Sequence, residues 1–130
     1  MQDMYAGWHL TFDAFVKSEC SNRLNDSEFL EQMFRDLVDV LDMEILVEPT
    51  FKAVPLDPSK VETDLDEGGV TGTVVITTSH LSVHTWPLRK RFSLDVFSCK
   101  KFDPEKVEKL VTERLGVTRR ALRWIPRNWP

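Results

Sequence analysis

The stretch that decides the fold is Val74-Val75-Ile76-Thr77-Thr78-Ser79-His80-Leu81-Ser82-Val83-His84-Thr85-Trp86-Pro87, and Cys99 follows it at a short distance. Apolar and β-branched residues on both sides of Ser79 predict β-strands. Because strand side chains alternate between faces, Leu81 lies on the face of Ser79 and His84 lies on the other. Ser79 and His84 therefore cannot meet along one straight strand, and a bend or chain break near Ser79 would be needed to join them.

Helices are predicted on both sides of this stretch. Apolar residues recur at every fourth position from Phe29 to Leu41, after the helix-capping run 25–27, and predict an amphipathic helix ending near Leu41. Asp103 as cap, Pro104 at the first position and Gly116 past the end predict a second helix over 104–115.

Further strands are predicted to begin at Trp8 and Glu44, and residues 119–124 are predicted as an edge strand. Residues 55–70 contain prolines, glycines and acidic residues, and predict a loop. The order is then strand, helix, strand, loop, strands, helix, strand. This order predicts an α+β fold, a two-layer sandwich of one antiparallel sheet with two helices on one face. The length of 130 residues predicts a single domain over 1–130.

Composition excludes several functional classes. The net charge of −4 argues against nucleic acid as the main partner. Two cysteines, Cys20 and Cys99, make no disulfide framework and predict a reducing cytoplasm. No apolar run approaches the roughly 20 residues of a membrane span, so no membrane association is expected. His9, His80 and His84 lack metal-site spacing, and we expect no metal.

Four segments carry a resemblance to a known family, namely Gly69-Val70-Thr71-Gly72, Thr78-Ser79-His80, His84-Thr85-Trp86-Pro87 and Asp95-Val96-Phe97-Ser98-Cys99. They resemble the prokaryotic S-adenosylmethionine decarboxylases, which cut their own chain before a serine and convert that serine to a pyruvoyl group. Weaker similarity extends over most of the chain. The resemblance implies a two-layer fold and a homodimer with active sites near the subunit interface.

The resemblance also implies roles for individual residues. Cleavage is expected between Thr78 and Ser79, because the Ser79 hydroxyl attacks the Thr78 carbonyl and the resulting ester is eliminated. The pyruvoyl group formed from Ser79 would take the substrate amine as a Schiff base and accept electrons as carbon dioxide leaves. By the same resemblance His84 and Thr71 assist processing, and Cys99 is the proton donor. Each residue taken singly also fits a structural role; Cys99, for example, fits a small buried apolar side chain.

Thr71 stands where the family usually has serine, and three further positions depart from the family pattern. Thr78 stands where the family has glutamate before the processed serine. Leu88 replaces the glutamate that holds the ribose hydroxyls. The adenine-stacking phenylalanine falls on Val54, although Phe51 lies nearby, so the substrate-binding candidates are Phe51, Val54, Leu88 and Glu67.

Three functions follow from these matches and departures. The first is a self-processing decarboxylase of S-adenosylmethionine in polyamine (spermidine) biosynthesis. The second keeps the chemistry but acts on arginine or ornithine, because Leu88 removes a ribose contact and the acidic loop residues could attract a basic substrate; these are Glu62, Asp64, Asp66 and Glu67. The third is an unprocessed, non-enzymatic homologue in which Thr78 has ended processing.

Overall fold

The computed structural model describes residues 5–56, 59 and 68–130. Its strands are β1 (Tyr5–Val16), β2 (Ile45–Ala53), β3 (Val70–Ile76), β4 (Ser79–Trp86), β5 (Arg91–Ser98) and β6 (Val117–Asn128). Its α-helices are α1 (Ser27–Val40) and α2 (Pro104–Leu115), and short 3₁₀ helices cover Ser18–Asn25 and Pro87–Arg89.

The strands form one six-stranded sheet in the order β2-β3-β4-β5-β1-β6. Every neighbouring pair is antiparallel. The predicted α+β fold with an antiparallel sheet is therefore confirmed. The predicted edge strand is also present, but β6 is longer than residues 119–124 because it pairs with β1 along most of its length.

Helix ends follow the predicted caps. The side chain of Asp26 accepts a hydrogen bond from the Phe29 N–H at 3.0 Å, and that of Asp103 accepts one from the Glu105 N–H at 2.9 Å. Gly116 ends α2 with φ 65°, a left-handed conformation that glycine adopts without strain. The predicted helix 104–115 is confirmed, and α1 ends one residue before Leu41.

The helices cover one face of the sheet, where alternate strand residues are fully buried. In β3 and β4 the inward positions are buried and most outward positions are exposed. The core joins sheet residues such as Phe12, Leu81 and Leu94 to helix residues such as Phe34 and Val111. We call the opposite side the open face. It presents the apolar side chains of Phe15, Val75 and Ile125 to solvent.

The acidic loop lies mainly outside the described residues, including Glu62, Asp64, Asp66 and Glu67. Among the helices that the structure does describe, none is long and apolar enough to cross a membrane.

Candidate active site

A tight turn of Thr77 and Thr78 joins β3 to β4, and Ile76 pairs with Ser79 across it. Thr78 has φ 56°, in the left-handed region that β-branched residues rarely adopt. Such a conformation typically costs about 1–3 kcal/mol and persists only where the surroundings impose it. The backbone is therefore strained at the residue whose carbonyl precedes Ser79.

Ser79 and Cys99 lie together beside this turn. Ser79 is the first residue of β4 and is 6% exposed, while Cys99 directly follows β5. The Cys99 N–H donates a hydrogen bond to Ser79 Oγ at 2.9 Å. The Cys99 side chain is not a buried apolar group, because the residue is exposed.

Thr78 completes this end of the site. Its Oγ1 lies 2.9 Å from Cys99 Sγ and also donates to the Thr77 carbonyl at 2.7 Å. Hydrogen bonding with the Thr78 hydroxyl, and secondly with Ser79, lowers the pKa of the Cys99 thiol below its usual value. A thiol with a lowered pKa gives up its proton more readily near neutral pH. We call Thr78, Ser79 and Cys99 the serine cluster.

Thr71 and His84 form a second group. They pair across β3 and β4, and Thr71 Oγ1 lies 3.1 Å from His84 Nδ1. Both residues are exposed and belong to the open face, opposite the face of Ser79. Along β4, His84 is separated from Ser79 by about 17 Å, at roughly 3.3 Å per residue. The structure thus brings the four predicted catalytic residues together as two pairs, not as one group.

The sequence model of the S-adenosylmethionine decarboxylases matches residues 8–128. The chain belongs to the S-adenosylmethionine decarboxylase family. It is 31% identical over 113 residues to an S-adenosylmethionine decarboxylase proenzyme of Clostridium botulinum (strain Hall), covering 85% of this chain and 84% of that protein. It is 32% identical over 107 residues to the proenzyme of Geobacillus sp. (strain WCH70), covering 82% and 77%.

A solved structure shows the same fold. The crystal structure of the adenosylmethionine decarboxylase from Aquifex aeolicus VF5 superposes with a TM-score of 0.73. The match covers 98% of this chain and 95% of that one at 18% sequence identity. This similarity confirms the two-layer architecture expected of the decarboxylase family.

In this member of the S-adenosylmethionine decarboxylase family, Thr85 holds the strand ends beside Thr71. Its buried hydroxyl donates to the Leu24 carbonyl at 2.6 Å and accepts from the Val70 N–H at 2.7 Å. The sequence alone predicted no functional role for Thr85. Its position in the strand pattern indicates such a role, because Thr85 follows Leu81 and Val83 on the buried apolar face, where a hydroxyl needs hydrogen-bond partners.

The structure describes three of the four substrate-binding candidates. Phe51 packs edge-on against Phe34 of α1, with ring centroids 5.1 Å apart, on the helix-covered face. The Val54 N–H donates to the Gly69 carbonyl at 2.8 Å. Leu88 is 55% exposed in the 3₁₀ helix after β4, and Glu67 lies outside the described residues.

A cavity of about 530 Å³ opens where the ends of β1, β4, β5 and β6 come together. Its lining includes Asp13, Trp86, Arg91 and Arg119. The Arg91 guanidinium lies over the Trp86 ring at 5.1 Å. This cavity lies beyond the His84 end of β4 and contains no residue of the serine cluster. Within the part of the chain described, no three histidine, cysteine, aspartate or glutamate side chains are grouped to hold a metal ion.

Proposed function

We propose that this chain is a self-processing, pyruvoyl-dependent decarboxylase that acts on S-adenosylmethionine and serves spermidine biosynthesis. The observation that carries the proposal is the hydrogen bond from the Cys99 N–H to Ser79 Oγ, directly after the strained Thr78. Family membership supports the substrate, since the relatives from Clostridium botulinum and Geobacillus are S-adenosylmethionine decarboxylase proenzymes. The same membership argues against a non-enzymatic homologue.

The geometry of the serine cluster favours self-cleavage. Because Ser79 Oγ accepts the Cys99 N–H, the oxygen is held in place while its own proton remains available for transfer, with the Cys99 sulfur among its neighbours. Attack of this oxygen on the Thr78 carbonyl exchanges the peptide bond for an ester, and the Ser79 nitrogen leaves as an amine that takes up the hydroxyl proton; elimination of the ester then separates the Thr78 carboxylate from residue 79 and cuts the chain. Breaking the peptide bond also releases the left-handed conformation of Thr78, so the strain favours the reaction.

Cys99 is placed to act after cleavage. A pyruvoyl group at position 79 would supply the electron sink that a decarboxylation needs. Residue 79 already adjoins Cys99 in the folded chain, so no rearrangement of β5 is needed to bring the thiol near it. The lowered pKa of the Cys99 thiol suits a proton donor, which works best when its pKa lies near the working pH.

The separation of the two pairs supports a homodimer. Thr71 and His84 cannot reach Ser79 of their own chain along a straight β4, so we assign them to the site of a second copy. The open face carries Thr71 and His84, so it is the face that would contact that copy. Thr11 Oγ1 is buried there without a hydrogen-bond partner, which costs about 1–3 kcal/mol until a partner is supplied, and His9 Nε2 has only the Asp95 carboxylate nearby, at 3.7 Å.

Trans-complementation tests this arrangement. A His84→Ala chain expressed alone is expected to stay uncut. Co-expressed with a Ser79→Ala chain, it is expected to be cut, because the Ser79→Ala chain supplies His84 to the serine cluster of its partner. Intact mass separates the two chains and their fragments.

The matched control is His80→Ala, which removes another exposed histidine from β4 and is expected to cut when expressed alone. Mixed dimers in which the His84→Ala chain remains whole would show that His84 acts within its own chain.

Leu88 favours the second candidate function, decarboxylation of arginine or ornithine. Its side chain has no polar atom to accept hydrogen bonds from a ribose. We nevertheless assign S-adenosylmethionine, because the family match extends from residue 8 to residue 128 and includes both pairs of catalytic candidates.

Restoring a carboxylate at position 88 is expected to improve use of S-adenosylmethionine. Leu88→Glu should lower KM about tenfold or more, since a hydrogen bond to a charged group is worth roughly 1.5–3 kcal/mol. Leu46→Glu is the control, because it adds the same charge at another exposed leucine, on edge strand β2. Release of labelled carbon dioxide is measured side by side from S-adenosylmethionine, arginine and ornithine. Faster release from either amino acid by the unsubstituted chain would favour the second candidate.

We also propose a cytoplasmic location. Cys20 and Cys99 are both free thiols, which is typical of proteins in a reducing compartment.

A further inference from the structure

Thr78 is an unfavourable residue for the turn that it occupies. At φ 56° a glycine or asparagine would carry little strain, whereas threonine is β-branched. The stability of the turn therefore gives no reason for threonine here; besides the strain that favours cleavage, the Thr78 hydroxyl offers one. We propose that Thr78 is a positioning residue whose hydroxyl holds the Cys99 thiol beside Ser79 while the chain is still whole. This role concerns the same site as the proposed function, and it matters for catalysis only if that function is correct.

The Thr78 hydroxyl can form a hydrogen bond with Cys99 whether the thiol is protonated or not. A hydroxyl has one proton to donate and two lone pairs to accept with. When Thr78 Oγ1 donates to the Thr77 carbonyl at 2.7 Å, the Cys99 S–H must be the donor in the 2.9 Å contact with Thr78. When the thiol loses its proton, the Thr78 hydroxyl can turn and donate to the sulfur. The hydroxyl therefore has a hydrogen bond with Cys99 in both protonation states.

The other groups near Cys99 act more weakly on its thiol. Lys100 follows it along the chain, but the Lys100 ammonium is paired with the Asp42 carboxylate at 3.2 Å. His80 of β4 lies on the open face, with its ring 5.6 Å from that of Phe97. The pKa of the Cys99 thiol is lowered first by Thr78 and then by Ser79, and burial opposes the change. Thr78 is thus the neighbour with the largest effect on the thiol.

The test compares substitutions at position 78 in a Ser79→Ala chain, which cannot form the ester and therefore stays whole. Thr78→Val removes the hydroxyl and keeps the branched shape. Thr78→Gly removes the hydroxyl and also relieves the strain, so this variant is expected to fold at least as well as its parent. Thr78→Ser retains the hydroxyl, and Thr77→Val is the control at the neighbouring turn residue.

The measurement is the rate at which iodoacetamide alkylates Cys99 between about pH 6 and pH 10, read by peptide mass so that Cys20 is scored separately. Near pH 8, Thr78→Val and Thr78→Gly are expected to react about three- to tenfold more slowly, with curves displaced to higher pH. Thr78→Ser and Thr77→Val should remain within about twofold of the parent.

Coincident curves for the parent, Thr78→Val and Thr78→Gly would overturn the proposal. If Thr78 had a purely structural role, Thr78→Gly would leave the alkylation rate of Cys99 unchanged. If Thr78 positions the thiol, Thr78→Gly and Thr78→Val would slow alkylation to a similar extent. Because every chain in this comparison carries alanine at position 79, the result does not depend on self-cleavage. Absence of cleavage in the chain with Ser79 would instead contradict the proposed function.

Discussion

Replacing Ser79 with alanine is expected to abolish self-cleavage, because no other atom can supply the oxygen that attacks the Thr78 carbonyl. Under denaturing conditions, intact mass of the unsubstituted protein should show fragments 1–78 and 79–130. The second fragment should carry a ketone that reacts with hydroxylamine. The Ser79→Ala protein should show the full-length mass alone.

Ser82→Ala is the matched control, since Ser82 lies on the same strand but its side chain points to the opposite face. It should be cut like the parent. Unsubstituted protein that remains entirely whole after long incubation would contradict self-processing and return the non-enzymatic homologue to consideration.

Replacing Cys99 with alanine is expected to separate cleavage from turnover. The variant should still be cut at least partly, because Ser79 Oγ keeps the hydrogen bond from the main-chain N–H of residue 99. Decarboxylation should fall about 10²–10⁴-fold, the usual contribution of a positioned general acid. Fragment masses report the first step, and labelled carbon dioxide reports the second.

Cys20→Ala provides the control for loss of a thiol. Cys20 is buried in the 3₁₀ helix Ser18–Asn25, away from the serine cluster, so turnover should persist. Full activity in Cys99→Ala would show that another group returns the proton.

Local signals were sufficient to predict the two α-helices and the order of the elements along the chain. Asp103, Pro104 and Gly116 mark both ends of α2, because caps act within one turn of the chain. Alternation also placed Ser79 and His84 on opposite faces correctly. The 3₁₀ helix Ser18–Asn25 was not predicted. Its polar sequence has little helical periodicity, and it is tied to distant segments, for example by the bond from Arg23 to the Arg114 carbonyl.

The contacts of the serine cluster could not be predicted from local sequence. Thr78 meets Cys99 only because β4 and β5 pair in one register, with Leu81 opposite Val96. A shift of that register would separate the two side chains without changing any local propensity. The left-handed conformation of Thr78 could not be predicted either, because threonine rarely adopts it.

The strand order decides what the proposed cut between Thr78 and Ser79 would do to the molecule. Residues before the cut supply β1, β2 and β3, while those after it supply β4, β5 and β6. In the sheet the pairs β3/β4, β5/β1 and β1/β6 each join one product to the other. The two products would therefore remain parts of one sheet, and their separation would break the hydrogen bonds of all three strand pairs. The cut would thereby change the molecularity of unfolding, because each subunit would consist of two polypeptides that must find each other again to refold, and its stability would depend on their concentration.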